Sequence, residues 1–408
     1  MTTLTRTRLC VMMFLEFFIW GGWFVTMGSY LGANLHASGA QTGLAYGTQA
    51  LGAIIAPFIV GLIADRYFDA ERVLGVLHLV GGLLMYTLYE ARDFSAFYPL
   101  LLAYMLLYMP TLALVNAVAF RQMQDPARHF SGVRVWGTIG WIVAGLIISY
   151  LFAWDSHAGI SRGLLRDTFL MCSLASFVLG VYSFTLPATP PRPAAGGSGL
   201  GRLLGRDALR LLKERNFAVF FAASVLICIP LAFYYQNANQ FLTEIQVANA
   251  TGKQTIGQMS EVLFMLAIPL FLRTFGMKTT LLVGMLAWAA RYLLFAFGDA
   301  GPLAFMLITG IALHGVCYDF FFVSGQIYTD SKAGAEHKAA AQGLITLATY
   351  GLGMLVGFWA AGRIDDAYSL AGGHDWRSIW LYPAAFAAAV FVLFAATFRN
   401  EKVSYAGR

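Results

Sequence analysis

Twelve apolar runs, each close to the length that crosses a lipid bilayer, constrain this chain more than any other feature. A helix needs about 20 mostly apolar residues to traverse about 30 Å of hydrocarbon. Inside that layer no water satisfies backbone groups, so only helices and closed barrels are viable. The runs lie near 9–31, 42–64, 73–89, 97–120, 133–154 and 168–186, then 217–242, 255–275, 279–297, 303–328, 339–361 and 379–398. They are continuous over about twenty residues rather than alternating over ten, which predicts helices and not barrel strands. With 408 residues, 59% hydrophobic and 12% charged, little chain is left for a soluble domain. The expected fold class is an all-α membrane protein of twelve transmembrane helices in two six-helix halves.

Composition changes sharply between the sixth and seventh runs. Residues 187–215 open with a Pro-rich stretch and Gly-Gly-Ser-Gly and end in a basic amphipathic piece, 203–215. This reads as a linker with a surface helix, dividing the chain into 1–186, 187–215 and 216–408. Lys and Arg gather on the linker's side of the alternating loops, nineteen against six, with Arg134 and Arg291 inside apolar runs. Basic loops stay cytoplasmic, so both termini and the linker are expected there, in a bacterial inner membrane. The first run is too long for a cleavable signal and is expected to remain as a helix. The basic excess thus reflects topology and calls for no nucleic-acid partner. Two six-helix halves joined by a basic linker match the parallel-repeat plan of the major facilitator superfamily. Gly61, Asp65 and Arg66, in Gly61-Leu62-Ile63-Ala64-Asp65-Arg66, resemble its loop signature after the second helix, where Asp and Arg can lock a cytoplasmic gate. No good copy follows the eighth run.

Charges inside spans cost a few kcal/mol each on insertion scales, so each is a functional hypothesis. Here they are Glu16, Arg134, Glu261, Arg291 and Asp319. Arg134, Thr138 and Trp141 recur at i, i+4 and i+7, so one helical face offers a cation, a hydroxyl and an aromatic plate. Gln258 and Glu261 stand at i, i+3; His314, Tyr318 and Asp319 fall within about one and a half turns; Tyr235, Gln236 and Asn239 interrupt the seventh run. Amides and carboxylates suit hydroxyls and ring nitrogens, and aromatic faces stack on rings. Structural readings compete with these. Arg134 near a helix end can snorkel or close a gate. Glu261 or Asp319 can serve as counter-ions for an arginine. His314 fits a hydrogen-bonded core residue, and Glu16 can pair with a neighbour. The cysteines, Cys10, Cys172, Cys228 and Cys317, are scattered singly and read as packing residues. Neither a metal-ligand spacing nor a nucleophile with its base is present, so neither an intramembrane enzyme nor a metal site is expected.

Taken in order, several segments resemble the nucleoside:proton symporter family of the major facilitator superfamily. They are Trp20-Gly21-Gly22-Trp23, Tyr108-Met109-Pro110-Thr111, Arg134-Val135-Trp136-Gly137-Thr138, Gln258-Met259-Ser260-Glu261, Trp288-Ala289-Ala290-Arg291, Tyr318-Asp319-Phe320-Phe321 and Ala341-Gln342-Gly343. The resemblance implies nucleoside import driven by protons through alternating access, without cofactor, by a monomer. It also implies substrate contacts at Arg134, Thr138, Trp141, Gln258, Glu261 and Tyr318. Asp319 and Glu261 are the expected proton carriers, since desolvation penalises a charged carboxylate and favours loading of a proton. Two departures stand out. The seventh helix aligns Ala232 and Tyr235 where two amides are expected, with Gln236 and Asn239 nearby, and Glu16 replaces a neutral amide; Tyr235, Gln236, Asn239 and His314 complete the expected substrate contacts. A sugar or oligosaccharide proton symporter of the same superfamily is the nearest alternative.

Overall fold

The computed structural model describes residues 2–59, 67–123, 129–191 and 208–401, and almost all of them are helical. Two compact units emerge: Met1–Ser198 with Ala248–Thr255, and Gly199–Val247 with Ile256–Arg408. Among the described residues, ten helices are long and apolar enough to cross a membrane. The gate residues Gly61, Asp65 and Arg66 lie outside the described residues, as does most of the linker. Its described end, Ala208–Lys213, is a short 3-10 turn rather than an amphipathic α-helix.

The first unit contains α1 (Thr3–Trp23), α2 (Met27–Leu35), α3 (Gly39–Ile59), α4 (Ala70–Glu90), α5 (Phe94–Arg121), α6 (Ser131–Leu146), a short α7 (His157–Ser161) and α8 (Asp167–Ser183). The expected first span is therefore two helices, α1 and α2, parted by a turn at residues 24–26. Helix α1 lies along α6, α4 along α8 and α3 along α5. Glycine permits the closest of these approaches. A Cβ at Gly140 would run into the Phe14 carbonyl oxygen, and one at Gly21 would come within 2.7 Å of the Trp141 ring. Small residues at such crossings are what membrane helices use to bring backbones together.

The second unit contains α9 (Arg215–Glu244), α10 (Ala250–Phe297), α11 (Ala304–Tyr318), α12 (Ser324–Thr346), α13 (Met354–Ala367), a two-stranded hairpin of β1 (Ser369–Leu370) and β2 (Gly373–His374), and α14 (Trp376–Thr397). Helix α10 is interrupted at Gly276, whose φ of 75° is open to glycine without strain. Its first residues, 250–255, group with the first unit because the backbone amides of Thr251 and Gly252 bond to Asp155 Oδ2 (2.9 Å) and Ser149 Oγ (2.7 Å). Along α10, Leu263, Leu266 and Leu270 recur at i, i+3 and i+7, with 66%, 78% and 65% of their surface exposed. So wide an apolar stripe facing outward is stable against lipid and costly against water. The four cysteines are free and buried.

Candidate functional site

In the first unit, helical spacing places Arg134, Thr138 and Trp141 on one half-buried face of α6. The Arg134 guanidinium rests 4.0 Å from the Phe17 ring centroid on α1. Trp141 meets Trp20 edge to face at 5.7 Å, and Trp20 meets Tyr108 of α5 in the same way at 6.0 Å. The glycine at position 21 lets the Trp141 ring settle against α1, so the plate is backed by protein on one side. This face keeps the three chemistries read from the sequence side by side.

In the second unit a chain of polar groups links the two parts of α10, on either side of Gly276, through α11. Glu261 Oε1 lies 2.9 Å from His314 Nε2, and His314 Nδ1 lies 3.1 Å from Arg291 Nη1. An arginine can only donate, so Nδ1 accepts, the imidazole hydrogen sits on Nε2, and it is donated to the Glu261 carboxylate. Arg291 is fully buried and its guanidinium lies 3.3 Å from the Tyr234 ring centroid, a cation–π contact in a desolvated place. The Tyr234 ring also stacks on His314 at 5.2 Å. Arg291 thus reaches Glu261 through His314 rather than by a direct ion pair, and His314 is a bonded core histidine at 2% exposure. Glu261 keeps 18% of its side chain accessible, with half-buried Gln258 one turn before it.

Asp319 presents the opposite situation. It is fully buried, and neither carboxyl oxygen meets a donor in hydrogen-bond geometry, although the Met265 amide and the Glu261 carboxylate lie near. It opens a π-helical stretch, Asp319–Val323, and such insertions recur at functional sites. Just before it, the Tyr318 hydroxyl is 2.6 Å from that of Tyr350, which belongs to a second π stretch, Leu347–Gly353.

Helix α9 divides its polar residues between two faces. Tyr235 is half-buried and Asn239, four residues on, is buried. Gln236, expected among the substrate contacts, is held elsewhere. Its Nε2 donates to Asp365 Oδ2 at 2.9 Å, and Asn237 Nδ2 donates to Asp365 Oδ1 at 2.8 Å. A buried carboxylate needs such donors, and Asp365 of α13 draws Gln236 away from the Tyr235 face. Sequence reasoning missed Asp365, which lies four residues past the expected end of its apolar run, and Tyr350, which no local pattern marks. Among the described residues, no group of three or more His, Cys, Asp and Glu could hold a metal ion.

Comparison with known proteins places the chain in a family. The family model described as nucleoside H+ symporter matches residues 3–403. YegT of Escherichia coli K12 is 44% identical over 97% of this chain and 94% of its own length. The xanthosine permease of the same organism is 35% identical over 95% and 94%. A crystal structure of the nucleoside transporter NupG superposes with a TM-score of 0.90 at 29% identity, covering 97% of this chain and all of that one. A match running through both units, with relatives this similar along their whole length, makes the chain a member of the nucleoside H+ symporter family.

Proposed function

We propose that this protein imports nucleosides by proton symport through alternating access, with Arg134, Thr138, Trp141, Tyr235, Asn239, Gln258, Glu261 and Tyr318 as substrate contacts and with Asp319 and Glu261 handling the proton. The observation that carries this reading is the contrast between two neighbouring carboxyl groups. Glu261 is tied to His314 and Arg291 and stays partly accessible, while Asp319 is buried with neither oxygen hydrogen-bonded. An ionised carboxylate without partners in a dry interior costs several kcal/mol, and taking up a proton removes that cost. Asp319 therefore has the character of a carrier, and Glu261 that of a ligand whose charge is spoken for. Trp141, backed by Trp20, supplies a stacking surface for a base.

The same proposal includes twelve spans in two halves, 1–186 and 216–408, joined by the linker, acting as a monomer in the bacterial inner membrane. The 48-residue α10 would measure about 72 Å at 1.5 Å per residue, more than twice the hydrocarbon thickness. Its break at Gly276 supports counting it twice, and α3, a helix of 21 residues, supplies one more beyond the ten. The excess of basic residues on the linker's side supports cytoplasmic termini.

Purified protein in proteoliposomes tests the substrate and the driving force together. Radiolabelled uridine should accumulate when the interior is made alkaline, with unlabelled nucleosides competing and sugars failing to compete. Competition by a sugar with none by nucleosides would assign the protein to sugar symport and refute the reading.

A further inference from the structure

Glu16 and His78 form a buried pair in the first unit that the transport scheme above does not use. Glu16 is fully buried and His78 is 2% exposed. His78 Nε2 lies 2.8 Å from Glu16 Oε2, joining α4 to α1. The other carboxyl oxygen accepts from the Thr111 hydroxyl of α5 at 2.6 Å. That hydroxyl also stands 2.6 Å from the Tyr108 carbonyl oxygen. It has one hydrogen for two acceptors.

We propose that the Glu16–His78 pair is a second proton-binding site, one that loads and releases a proton during transport; this rests on the symport reading. A carboxylate paired with arginine holds no exchangeable proton, because guanidinium does not deprotonate. A carboxylate paired with imidazole holds one proton between two bases, on oxygen or on nitrogen. The surroundings accommodate the pair with and without it. When Glu16 is ionised and His78 neutral, His78 donates to Oε2 and Thr111 donates to Oε1. When Glu16 is protonated on Oε1, that acid hydrogen is donated to the Thr111 oxygen, and the threonine hydrogen turns to the Tyr108 carbonyl. The step is a proton binding to a carboxylate oxygen, with a hydroxyl rotation and no heavy-atom rearrangement.

The position also links protonation to the substrate face. Tyr108 donates its hydroxyl to the Glu16 backbone carbonyl at 2.7 Å. Its ring meets His78 at 6.0 Å and Trp20 at 6.0 Å, and Trp20 backs Trp141. Among the described residues, two further titratable groups face Glu16, the phenols of Tyr104 and Tyr108 on α5. Arg134 of α6 sits on Phe17, next to Glu16 in the chain.

The test is the pH gradient that just balances an opposing uridine gradient in proteoliposomes with the membrane potential clamped at zero. This balance point is thermodynamic and does not depend on turnover. One pH unit and a tenfold concentration ratio are each worth about 1.4 kcal/mol, so one proton per uridine balances a tenfold ratio at about 1 pH unit and two protons at about 0.5. We expect about 0.5 for the wild type and about 1 for Glu16→Gln; His78→Gln, read in the same way, serves where Glu16→Gln does not insert. A balance point equal to that of the wild type in the variant overturns the proposal while leaving symport intact. Wild-type protein that moves no uridine under any pH gradient overturns the functional reading and this proposal with it.

Discussion

Replacing Asp319 by asparagine separates proton coupling from substrate binding, and the structure sets the size of each effect. The substitution is nearly isosteric and breaks no hydrogen bond of Asp319, since neither oxygen makes one. Stability should change by less than about 1 kcal/mol, the net worth of one ordinary hydrogen bond. The amide mimics the permanently protonated acid, so the proton gradient loses its purchase on this step. Each proton carried per nucleoside supports about tenfold accumulation when the interior is more alkaline by one unit, because each unit is worth 1.36 kcal/mol. Asp319→Asn should lower the accumulation ratio about tenfold. Counterflow between equal pools of uridine should persist, since a carrier fixed in its protonated form can still bind and reorient. Glu261→Gln gives the contrast. It loses a charge-assisted hydrogen bond to His314 at 2.9 Å, worth about 1.5–3 kcal/mol, and should weaken both activities. An accumulation ratio in Asp319→Asn equal to that of the wild type, at wild-type expression, would refute the assignment of the carrier.

Three further outcomes follow from the packing and the charges. Trp141→Ala should raise the KM for uridine about 5- to 150-fold with a smaller change in kcat, corresponding to the 1–3 kcal/mol of base stacking, as read from initial uptake rates. Gly140→Ala should lower the thermal stability of the detergent-solubilised protein, by about 1–3 kcal/mol for an overpacked contact, because its Cβ would meet the Phe14 backbone rather than a movable side chain. At the hairpin, burial alone would lower the pKa of His374, but its contact with Glu244 at 3.0 Å, together with the nearby Asp365 and Asp366 carboxylates, outweighs this and leaves it raised. The pair's contribution to stability is therefore fully present below the unfolded value of about 6.5 and is lost as pH rises through the folded one. Melting curves of wild type and His374→Gln should differ most at acid pH and converge on the alkaline side.

Features carried by local periodicity were readable from the sequence. Among the described residues the apolar runs are largely helical, the first of them as two helices, and the break at Gly276 falls in the short polar gap expected between 275 and 279. Arg134, Thr138 and Trp141 share a face because a helix of 3.6 residues per turn brings i, i+4 and i+7 together. Features that depend on which helices touch were not readable. Glu16 and His78 are 62 residues apart, and Gln236 and Asp365 are 129 apart. No spacing rule connects such pairs. A glutamine in an apolar run looks equally suited to a ligand or to a neighbouring carboxylate until the packing of α9 against α13 decides the matter. The same holds for Arg291, recognisable as a costly buried charge but not as the far end of a contact through His314 to Glu261. Tyr350 lacked any local mark and gained its place through the hydroxyl of Tyr318.

Proton movement on addition of uridine, followed with an external pH electrode in weakly buffered, de-energised cell suspensions expressing the protein, tests the central claim most directly. Nucleoside and proton crossing together should make the medium alkaline when uridine is added. The signal should vanish with a protonophore, be absent from control cells, and fall to about half per uridine in the Asp319→Asn variant. Uridine entering at the same rate with no change in external pH would show that the protein moves nucleosides without protons and would contradict the account.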